Sequence, residues 1–411
     1  MNTTPPTHVE LAIIGGGAAG LCAAIFSKQP ATVLEGGSQA GRKILASGGG
    51  RCNILPTISS EKDFSSSSSL QIVKRILRTW PIAKQRIFFE NDLGITLIEE
   101  PKTQKLFPQS QNARDVRDAL FKEAAKVDAS IKTGWKVAGI QTHELGFEIT
   151  AENGDVIIAD KIILAAGGQS VPTTGSDGSG FLLAKQLGHS ILPPCPALVP
   201  LLTHDLRLQE LAGMTLPVTW QAIDANKKKL AESQQPTAFL FTHQGFSGPA
   251  VLDASHWQIQ SKATLTISWM GHTKAFWEEQ LSTQKTGRGS RTLRSVLARH
   301  LPKRLAEALP LWRGLSPSQQ LAQLDRESRK KLIESLTAFP LPISGNRGFE
   351  VAEATCGGIP LDEINPKSLE SRIAPGLFFC GEVLDVHGRI GGFNFQWAWA
   401  TGRLAGQSAS R

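Results

Sequence analysis

The 411-residue sequence contains no tyrosine and only five cysteines. The absence of tyrosine removes one common proton donor from any catalytic site. The cysteines are odd in number and form no Cys-x-x-Cys pair, so the sequence indicates neither a disulfide framework nor a zinc cluster, and no metal is expected. They are Cys22, Cys52, Cys195, Cys356 and Cys380.

Long apolar runs are also missing. No stretch is long and apolar enough to span a bilayer. Residues 1–8 are polar, and the apolar run that follows is interrupted by three glycines, which is not the pattern of a secretory signal. We therefore expect a soluble, cytoplasmic protein with no membrane partner, and no obligate protein partner is evident.

Positive charge is concentrated in the middle of the chain. The formal net charge is +8; residues 193–346 hold 18 Lys and Arg against 11 Asp and Glu, whereas the remainder holds 26 against 25. An excess of seven cations in one segment is consistent with a polyanionic partner. Ordinary solvated helix faces are the alternative.

A nucleotide-binding motif opens the sequence. Val9–Ile14 is an apolar run typical of a buried parallel strand, and Gly15, Gly17 and Gly20 follow it with G-x-G-x-x-G spacing. The small residues after them predict a helix whose N-terminus faces a diphosphate. Glu35 ends the next strand, where a carboxylate accepts hydrogen bonds from both ribose hydroxyls. The motif predicts a site for FAD or NAD rather than NADP.

Residues 36–53 form a glycine-rich segment with cations. Six of these eighteen residues are glycine, and Arg42, Lys43 and Arg51 lie among them. Such a loop is able to cradle a diphosphate and to follow the edge of a flat ring. A flexible surface linker is the alternative, but it does not explain the placement of the cations.

The middle of the chain shows two different sequence patterns. Three period-2 runs (136–142, 146–150 and 156–164) predict an antiparallel meander of the kind found in FAD domains of the glutathione-reductase type. From Pro193 the pattern changes, so we predict an FAD-binding domain of residues 1–192 and 347–411, interrupted by an inserted substrate domain of residues 193–346. Within the insert, 193–284 is β-rich and 285–346 is mainly helical and basic. Ser316 has the capping pattern of a helix start.

The C-terminal segment again shows the sequence pattern of the first domain. Residues 376–385 read as a buried strand, and Gly391 and Gly392 would let the backbone pass beneath a flavin. A helix from about Asn394 would direct its positive end toward the ring. No second G-x-G-x-x-G follows a strand, so NADH or NADPH is expected to act as a transient reductant without a domain of its own.

Taken together, five segments resemble the BaiN/RdsA (YhiN-like) family of FAD-dependent oxidoreductases across essentially the whole chain. They are residues 15–20, 41–53, 242–252, 354–359 and 381–398. The resemblance implies an α/β fold: a glutathione-reductase-like, FAD-binding Rossmann domain with an antiparallel β-meander, interrupted by an inserted β-barrel-like plus helical domain. It also implies hydride transfer from reduced FAD to a conjugated C=C bond, since characterised members reduce enone-type steroid rings or uridine in ribosomal RNA.

The resemblance further implies a set of flavin-binding positions. Relatives usually have tyrosine where Phe393 stands, so any role of that hydroxyl is absent here. The predicted positions are Gly15, Gly17, Ala18, Ala19, Gly20, Glu35, Gly36, Arg42, Lys43, Gly49, Gly50, Arg51, Cys52, Asn53, Val137, Ala166, Gly167, Gly168, Gly381, Glu382, Asp385, Gly391, Gly392, Phe393, Asn394, Phe395 and Gln396.

Reduction of a conjugated C=C bond also needs a proton donor. Cys356 and Cys52 are the candidates, because each lies in a glycine-rich segment expected near the flavin. The alternative for each is a buried structural thiol. The stretch that begins at His387 either faces the substrate or is a surface loop.

Two substrates fit this chemistry. The first is uridine in large-subunit (23S) ribosomal RNA, with phosphates bound by the basic run 285–304 and bases stacked on Trp257, Trp269, Trp277 or Trp312, although core packing is the alternative for these tryptophans. The second is a small molecule, for an enone or steroid-ring reductase or an amine oxidase. A non-enzymatic redox-sensing or RNA-binding flavoprotein is a third reading. The predicted RNA-binding residues are Lys285, Arg288, Arg291, Arg294, Arg299, Lys303 and Arg304.

Overall fold

A computed structural model describes residues 6–101, 103–282 and 290–411. The chain divides into two compact units. The first unit takes in the described residues up to Ala197 and from Phe349 onward, and the second unit is Leu198–Gly348. The predicted insert began five residues earlier, at Pro193, and ended two residues earlier, at Asn346.

The first unit is built on a sheet that is parallel on one side and antiparallel on the other. Leu11–Ile14 and Ala31–Glu35 are buried throughout, as the apolar pattern of the sequence predicted. The order of the main strands is Ala129–Thr133, Ala31–Glu35, Thr7–Ile14, Val156–Leu164, Gly146–Ala151 and Val137–His143, and Leu377–Phe379 also pairs with Val156–Leu164.

One long strand joins the two sides of this sheet. Val156–Leu164 runs parallel to Thr7–Ile14 along its length. Its first half pairs antiparallel with Gly146–Ala151, which completes the predicted meander, and its last three residues pair in parallel with Leu377–Phe379. The C-terminal segment of the chain is thereby brought beside the nucleotide-binding motif.

Two helices pack closely on one another in this unit. Ala18–Ser27 lies against the C-terminal helix Phe393–Ala409. A Cβ on Gly402 would stand 2.5 Å from the carbonyl oxygen of Ala19, and one on Gly406 would overlap the carbonyl oxygen of Ala23. Glycine at these positions is therefore what allows the close approach. The other helices of the unit are Arg42–Ala46, Leu70–Thr79, Ile82–Ile87, Ala113–Ala125 and Ser179–Gln186.

Short strands complete the first unit. They form a sheet of Leu55–Pro56, Lys105–Pro108 and Leu97–Glu100, a pair of Phe64–Ser65 with His387–Gly388, and a pair of Leu192–Ala197 with Ala354–Gly358. No helix in the described part of the chain has both the length and the hydropathy that a membrane span requires.

The second unit combines an antiparallel sheet with helices around its own core. The strands, in order across the sheet, are Phe339–Pro340, Thr264–Trp269, Thr215–Ile223, Thr237–Thr242, Gly245–Ser247, Leu201–Leu202 and Gly345–Asn346, and Lys229–Glu232 pairs with Thr215–Ile223. The helices are Leu206–Gln209, Pro249–Ser261, Lys274–Gln280, Leu293–Leu297, Lys303–Leu311 and Arg326–Thr337.

One sequence expectation for this unit is wrong, and for two tryptophans the structure confirms core packing, the alternative to stacking on bases. Ser316 does not start a helix: its hydroxyl accepts from Ser318 N in a turn, and the helix begins at Arg326, where Asp325 caps it. Trp269 and Trp277 are fully buried in the core of the unit, so they cannot stack on bases. Trp257 and Trp312 are partly buried against the same core.

Candidate cofactor site and its surroundings

The first turn has the backbone geometry that its glycines suggest. Gly15 adopts a positive φ of 106°, and a Cβ there would stand 2.5 Å from the carbonyl oxygen of Ala165. A Cβ on Gly20 would overlap the carbonyl oxygen of Gly15. Gly17 caps the helix Ala18–Ser27 with no side chain bonded to its first N–H groups, which leaves them available to an anion.

Glu35 organises the end of the second strand. Its carboxylate accepts hydrogen bonds from Gly16 N at 3.0 Å and from Gly37 N at 2.7 Å, and only 9% of the residue is exposed. Arg42 approaches to 3.8 Å. Each carboxylate oxygen keeps acceptor capacity for a further donor.

Lys43 and Glu382 form a half-buried polar network between distant parts of the chain. Glu382 accepts from Lys43 Nζ at 3.1 Å, from Ser170 Oγ at 2.9 Å and from Thr355 N at 2.7 Å. Burial opposes ionisation of Glu382, but the Lys43 charge and these hydrogen bonds outweigh it and lower the pKa of the carboxyl. Ser170 and Thr355 were not predicted, because no spacing in the sequence links them to Glu382.

Asp385 joins two further segments of the first unit through hydrogen bonds. One oxygen accepts from Ser67 N at 2.7 Å and the other from Gly357 N at 3.2 Å. Burial raises the pKa of this carboxyl despite the hydrogen bonds. Asp385 thereby ties residues 65–69, all of them serine, to the strand Ala354–Gly358.

Several groups in this region suit a bound dinucleotide. Cβ atoms built on Gly17, Gly49 and Gly50 would meet nothing within 4 Å, so open space lies above these glycines. Several buried side-chain polar atoms of the described residues have no hydrogen-bond partner, and three of them belong to predicted flavin-binding positions: Arg42 Nε, Asn53 Oδ1 and Gln396 Oε1. Unpartnered buried polar groups are costly unless a ligand satisfies them. All six residues are predicted flavin-binding positions, so the residues present fit FAD.

Other predicted positions have partners within the protein. The Asn394 side chain donates to Gly388 O and accepts from Gly388 N, which fixes the turn before the C-terminal helix. Arg51 bonds to Glu100 at 3.4 Å and lies over the ring of Phe107. These side chains shape the walls of the site.

The aromatic positions at the start of the C-terminal helix are packed. Phe393 is 2% exposed and lies beneath Arg389, and Phe395 stacks on Trp399. His387 is buried rather than part of a surface loop, and burial lowers its pKa to about 4. The remaining predicted positions belong to turns and element ends of the same unit: Ala18, Ala19, Gly36, Val137, Ala166, Gly167, Gly168, Gly381, Gly391 and Gly392.

The cysteines correct one expectation of the sequence analysis. Cys195 and Cys356 form a disulfide between the paired strands Leu192–Ala197 and Ala354–Gly358. The expectation that no disulfide is present is therefore wrong, and Cys356 in this state carries no proton to donate. Cys52 is a free, fully buried thiol, and burial raises its pKa to about 12.

Glu353 is a titratable group that sequence reasoning missed. Partial desolvation raises its pKa, although the side chain is open to solvent and Lys105 opposes the shift. Lys105 Cε lies 3.9 Å from the position of a Cβ on Gly391. A carboxyl whose pKa is shifted by desolvation beside a charged neighbour is a candidate functional group.

The predicted basic run is only partly available for binding. Arg294 pairs with Glu307 at 3.0 Å, and Arg304 donates to the carbonyl oxygens of Ala212 and Glu210. Arg299 and Lys303 are exposed, and Arg291 is half-buried. Lys285 and Arg288 lie outside the described residues.

Comparison with known proteins decides the family. Residues 9–408 match the family described as HI0933-like protein Rossmann domain. The chain belongs to this family. The predicted family, the Rossmann-type fold class and the class of FAD-dependent oxidoreductase are thereby confirmed.

Three full-length relatives of this HI0933-like chain have assigned activities. It is 33% identical to a ribosomal RNA dihydrouridine synthase of Escherichia coli, with 95% of each chain covered. It is also 33% identical to a ribosomal RNA dihydrouridine synthase of Haemophilus influenzae, covering 98% of this chain and 99% of the relative. A 3-dehydro-bile acid delta(4,6)-reductase of Clostridium scindens is 31% identical with the same coverage.

Solved structures support the fold. A 3-ketosteroid-delta4-(5alpha)-dehydrogenase of Rhodococcus jostii superposes with a TM-score of 0.50 at 14% identity, covering 100% of this chain and 98% of the other. A quinol-fumarate reductase gives a TM-score of 0.51 at 16% identity, covering 99% and 71%. At this level of identity the likeness concerns the fold alone.

Proposed function

We propose that this protein is an FAD-dependent reductase that converts uridine to dihydrouridine in 23S ribosomal RNA, with NADH or NADPH as the reductant. The fit of the nucleotide site supports the cofactor. Full-length similarity to two ribosomal RNA dihydrouridine synthases supports the reaction. A ribosomal substrate would place the enzyme in the cytoplasm.

The chemistry defines what the protein must provide. The C5=C6 bond of uracil is conjugated to the C4 carbonyl, so its reduction needs a hydride at one carbon, a proton at the other and polarisation of the carbonyl. FAD, when bound and reduced, supplies the hydride. The N-terminus of Ala18–Ser27 and the cations Arg42 and Lys43 would hold the diphosphate, and Glu35 would hold the ribose.

The chain offers two candidate proton donors. Cys52 keeps its proton at neutral pH because its pKa is about 12, but its thiol is fully buried. Glu353 is accessible, and its raised pKa extends the pH range in which the carboxyl is protonated. We therefore propose Glu353 as the acid and retain Cys52 as the alternative. A general acid positioned at the reacting carbon contributes roughly 10²–10⁴-fold to the rate.

The observation that carries the choice of RNA is charge. The excess of seven cations in residues 193–346 accounts for nearly all of the net +8. A polyanion gives these charges a role, because each phosphate contact adds to affinity through release of counterions. A neutral enone does not.

A small-molecule reductase is the second candidate, and the similarity to the bile acid reductase favours it. The dependence of turnover on salt concentration distinguishes the two candidate substrates. The KM for RNA should increase as the salt concentration rises, whereas the KM for a neutral enone should be nearly unaffected.

Deletion of the gene tests the proposed function in the cell. Dihydrouridine in 23S ribosomal RNA from the deletion strain should disappear at one position and return when the gene is restored on a plasmid. Unchanged dihydrouridine in the deletion strain would contradict the RNA assignment and favour the small-molecule substrate.

A further inference from the structure

A second cationic segment lies in the first unit. Residues 64–89 contain five Lys and Arg and no Asp or Glu. These cations belong to the helices Leu70–Thr79 and Ile82–Ile87, outside the predicted basic run. They are Lys74, Arg75, Arg78, Lys84 and Arg86.

The helix Leu70–Thr79 presents its cations on one face. Val73, Ile76 and Leu77 are buried on the opposite side. Residues three, four and seven positions apart share a helix face, which places the cations together with Gln71. We call Gln71, Lys74, Arg75 and Arg78 the cationic face. A surface concavity of about 390 Å³ is lined by these four residues and Ile72.

Two guanidinium groups of the cationic face are uncommitted. Arg75 and Arg78 are exposed, and within the described part of the chain neither side chain makes a hydrogen bond or an ion pair. Lys74 is half-buried and pairs with Glu61 at 2.8 Å. Arginine forks match the geometry of phosphate oxygens.

The cationic face is connected to the cofactor site through its own helix. The segment just before the helix donates from Ser67 N to Asp385 at 2.7 Å, and Phe64 meets the edge of Phe393 at 6.0 Å. At a rise of 1.5 Å per residue, Arg75 and Arg78 lie about 7.5 and 12 Å along the helix from Leu70. An RNA strand that holds its base at the cofactor site and follows this helix would bring phosphates to the cationic face.

We propose that the cationic face binds the phosphate backbone of the RNA substrate beside the cofactor site. This inference rests on the proposed function. The face positions RNA without reading its sequence, since Trp80, the aromatic residue nearest in sequence, is 4% exposed and cannot stack on a base. A membrane surface fits less well, because no apolar side chain of Leu70–Thr79 is exposed for insertion.

The double variant Arg75→Gln/Arg78→Gln tests the surface. Binding of fluorescein-labelled oligouridylate and of transcribed 23S ribosomal RNA is measured by anisotropy and by filter retention between 50 and 200 mM salt. The control is Arg114→Gln/Lys122→Gln, which removes two exposed cations from the helix Ala113–Ala125 of the same unit. Bound FAD and the circular dichroism spectrum report on the integrity of the fold.

Loss of two phosphate contacts should make the slope of log K against log salt shallower by about 1.4, at about 0.7 for each single-strand contact. Over a fourfold change in salt, this corresponds to about a sevenfold difference between wild type and variant. The control should retain the wild-type slope, and the variant should keep its FAD and its circular dichroism spectrum.

Three results would overturn the inference. Equal slopes for wild type and Arg75→Gln/Arg78→Gln would show that the cationic face makes no phosphate contacts, while leaving the proposed function intact. Loss of binding to phosphatidylglycerol vesicles, with RNA binding unchanged, would reassign the surface to a membrane. If the wild-type protein bound neither oligouridylate nor 23S ribosomal RNA, both the RNA-binding role of the cationic face and the proposed function would be contradicted.

Discussion

The ion pair between Lys43 and Glu382 should stabilise the cofactor-binding unit measurably. Its two side chains are 30% and 18% exposed, and Glu382 also accepts from Ser170 and Thr355. Hydrogen bonds to charged groups contribute about 1.5–3 kcal/mol. Glu382→Gln should therefore reduce the free energy of unfolding by about 2 kcal/mol, which lowers the Tm by about 4–8 °C in a unit of this size.

A double-mutant cycle isolates the pair. Lys43→Gln, Glu382→Gln and the double variant are melted, with release of FAD followed by fluorescence alongside circular dichroism. Because the side chains are in direct contact, the two losses should not add, and the coupling should be about 1 kcal/mol. Losses that add within about 0.3 kcal/mol would refute the reasoning.

The pair also predicts a pH dependence. The pKa of Glu382 is held below its ordinary value of 4.5, so its stabilisation is present above that pH and is lost as pH falls through the folded-state pKa. The difference in Tm between wild type and Glu382→Gln should shrink below pH 4.5. A difference that stays constant would contradict the assigned ionisation.

Three further predictions concern the disulfide, His387 and Glu353. Maleimide should label three thiols in protein denatured without reductant and five after reduction, because Cys195 and Cys356 are bonded; five labels without reductant would exclude the disulfide. The pKa of His387 is about 4 in the folded protein against 6.5 in the unfolded chain, so the folded state loses about 3 kcal/mol of stability as pH drops from 6.5 to 4. The Tm of the wild type should therefore fall over this range, and the Tm of His387→Gln should fall less. Curves of Tm against pH that are parallel for the two proteins would contradict this. Glu353→Gln should lower turnover by roughly 10²–10⁴-fold with FAD retained, and an unchanged rate would remove Glu353 as the acid.

The parts of the fold that depend on local sequence were predictable. The strand Thr7–Ile14, the turn at Gly15 and the meander follow from apolar periodicity and from glycines whose backbone leaves no room for a Cβ. The placement of Glu35 at a strand end follows from the glycines after it, because Gly36 and Gly37 end the apolar run 31–34.

The parts that depend on distant contacts were not predictable. Cys195 and Cys356 are 161 residues apart, and only the pairing of their strands brings them together. The Thr355 and Ser170 contacts of Glu382 likewise depend on tertiary structure. Ser316 carries a sound local signal for a helix start, but the chain there forms a turn and a bridge to Thr292 instead.

The sequence shows where the cationic residues are, but it does not show which of them remain free to bind a ligand. Arg294 and Arg304 look equivalent to Arg75 and Arg78 in composition. All four side chains are exposed, but the first two are engaged with Glu307 and with backbone carbonyl oxygens, whereas the second two have no such partner among the described residues. Only the packing of each helix determines which cations remain for a ligand.

A single turnover tests the central claim most directly. The FAD-loaded protein is reduced without oxygen and mixed with 23S ribosomal RNA transcribed in vitro, and flavin absorbance is followed together with the dihydrouridine content of the RNA. We expect the flavin to reoxidise with one dihydrouridine formed for each flavin. A flavin that stays reduced in the presence of RNA, yet reoxidises when an enone is added, would contradict the claim.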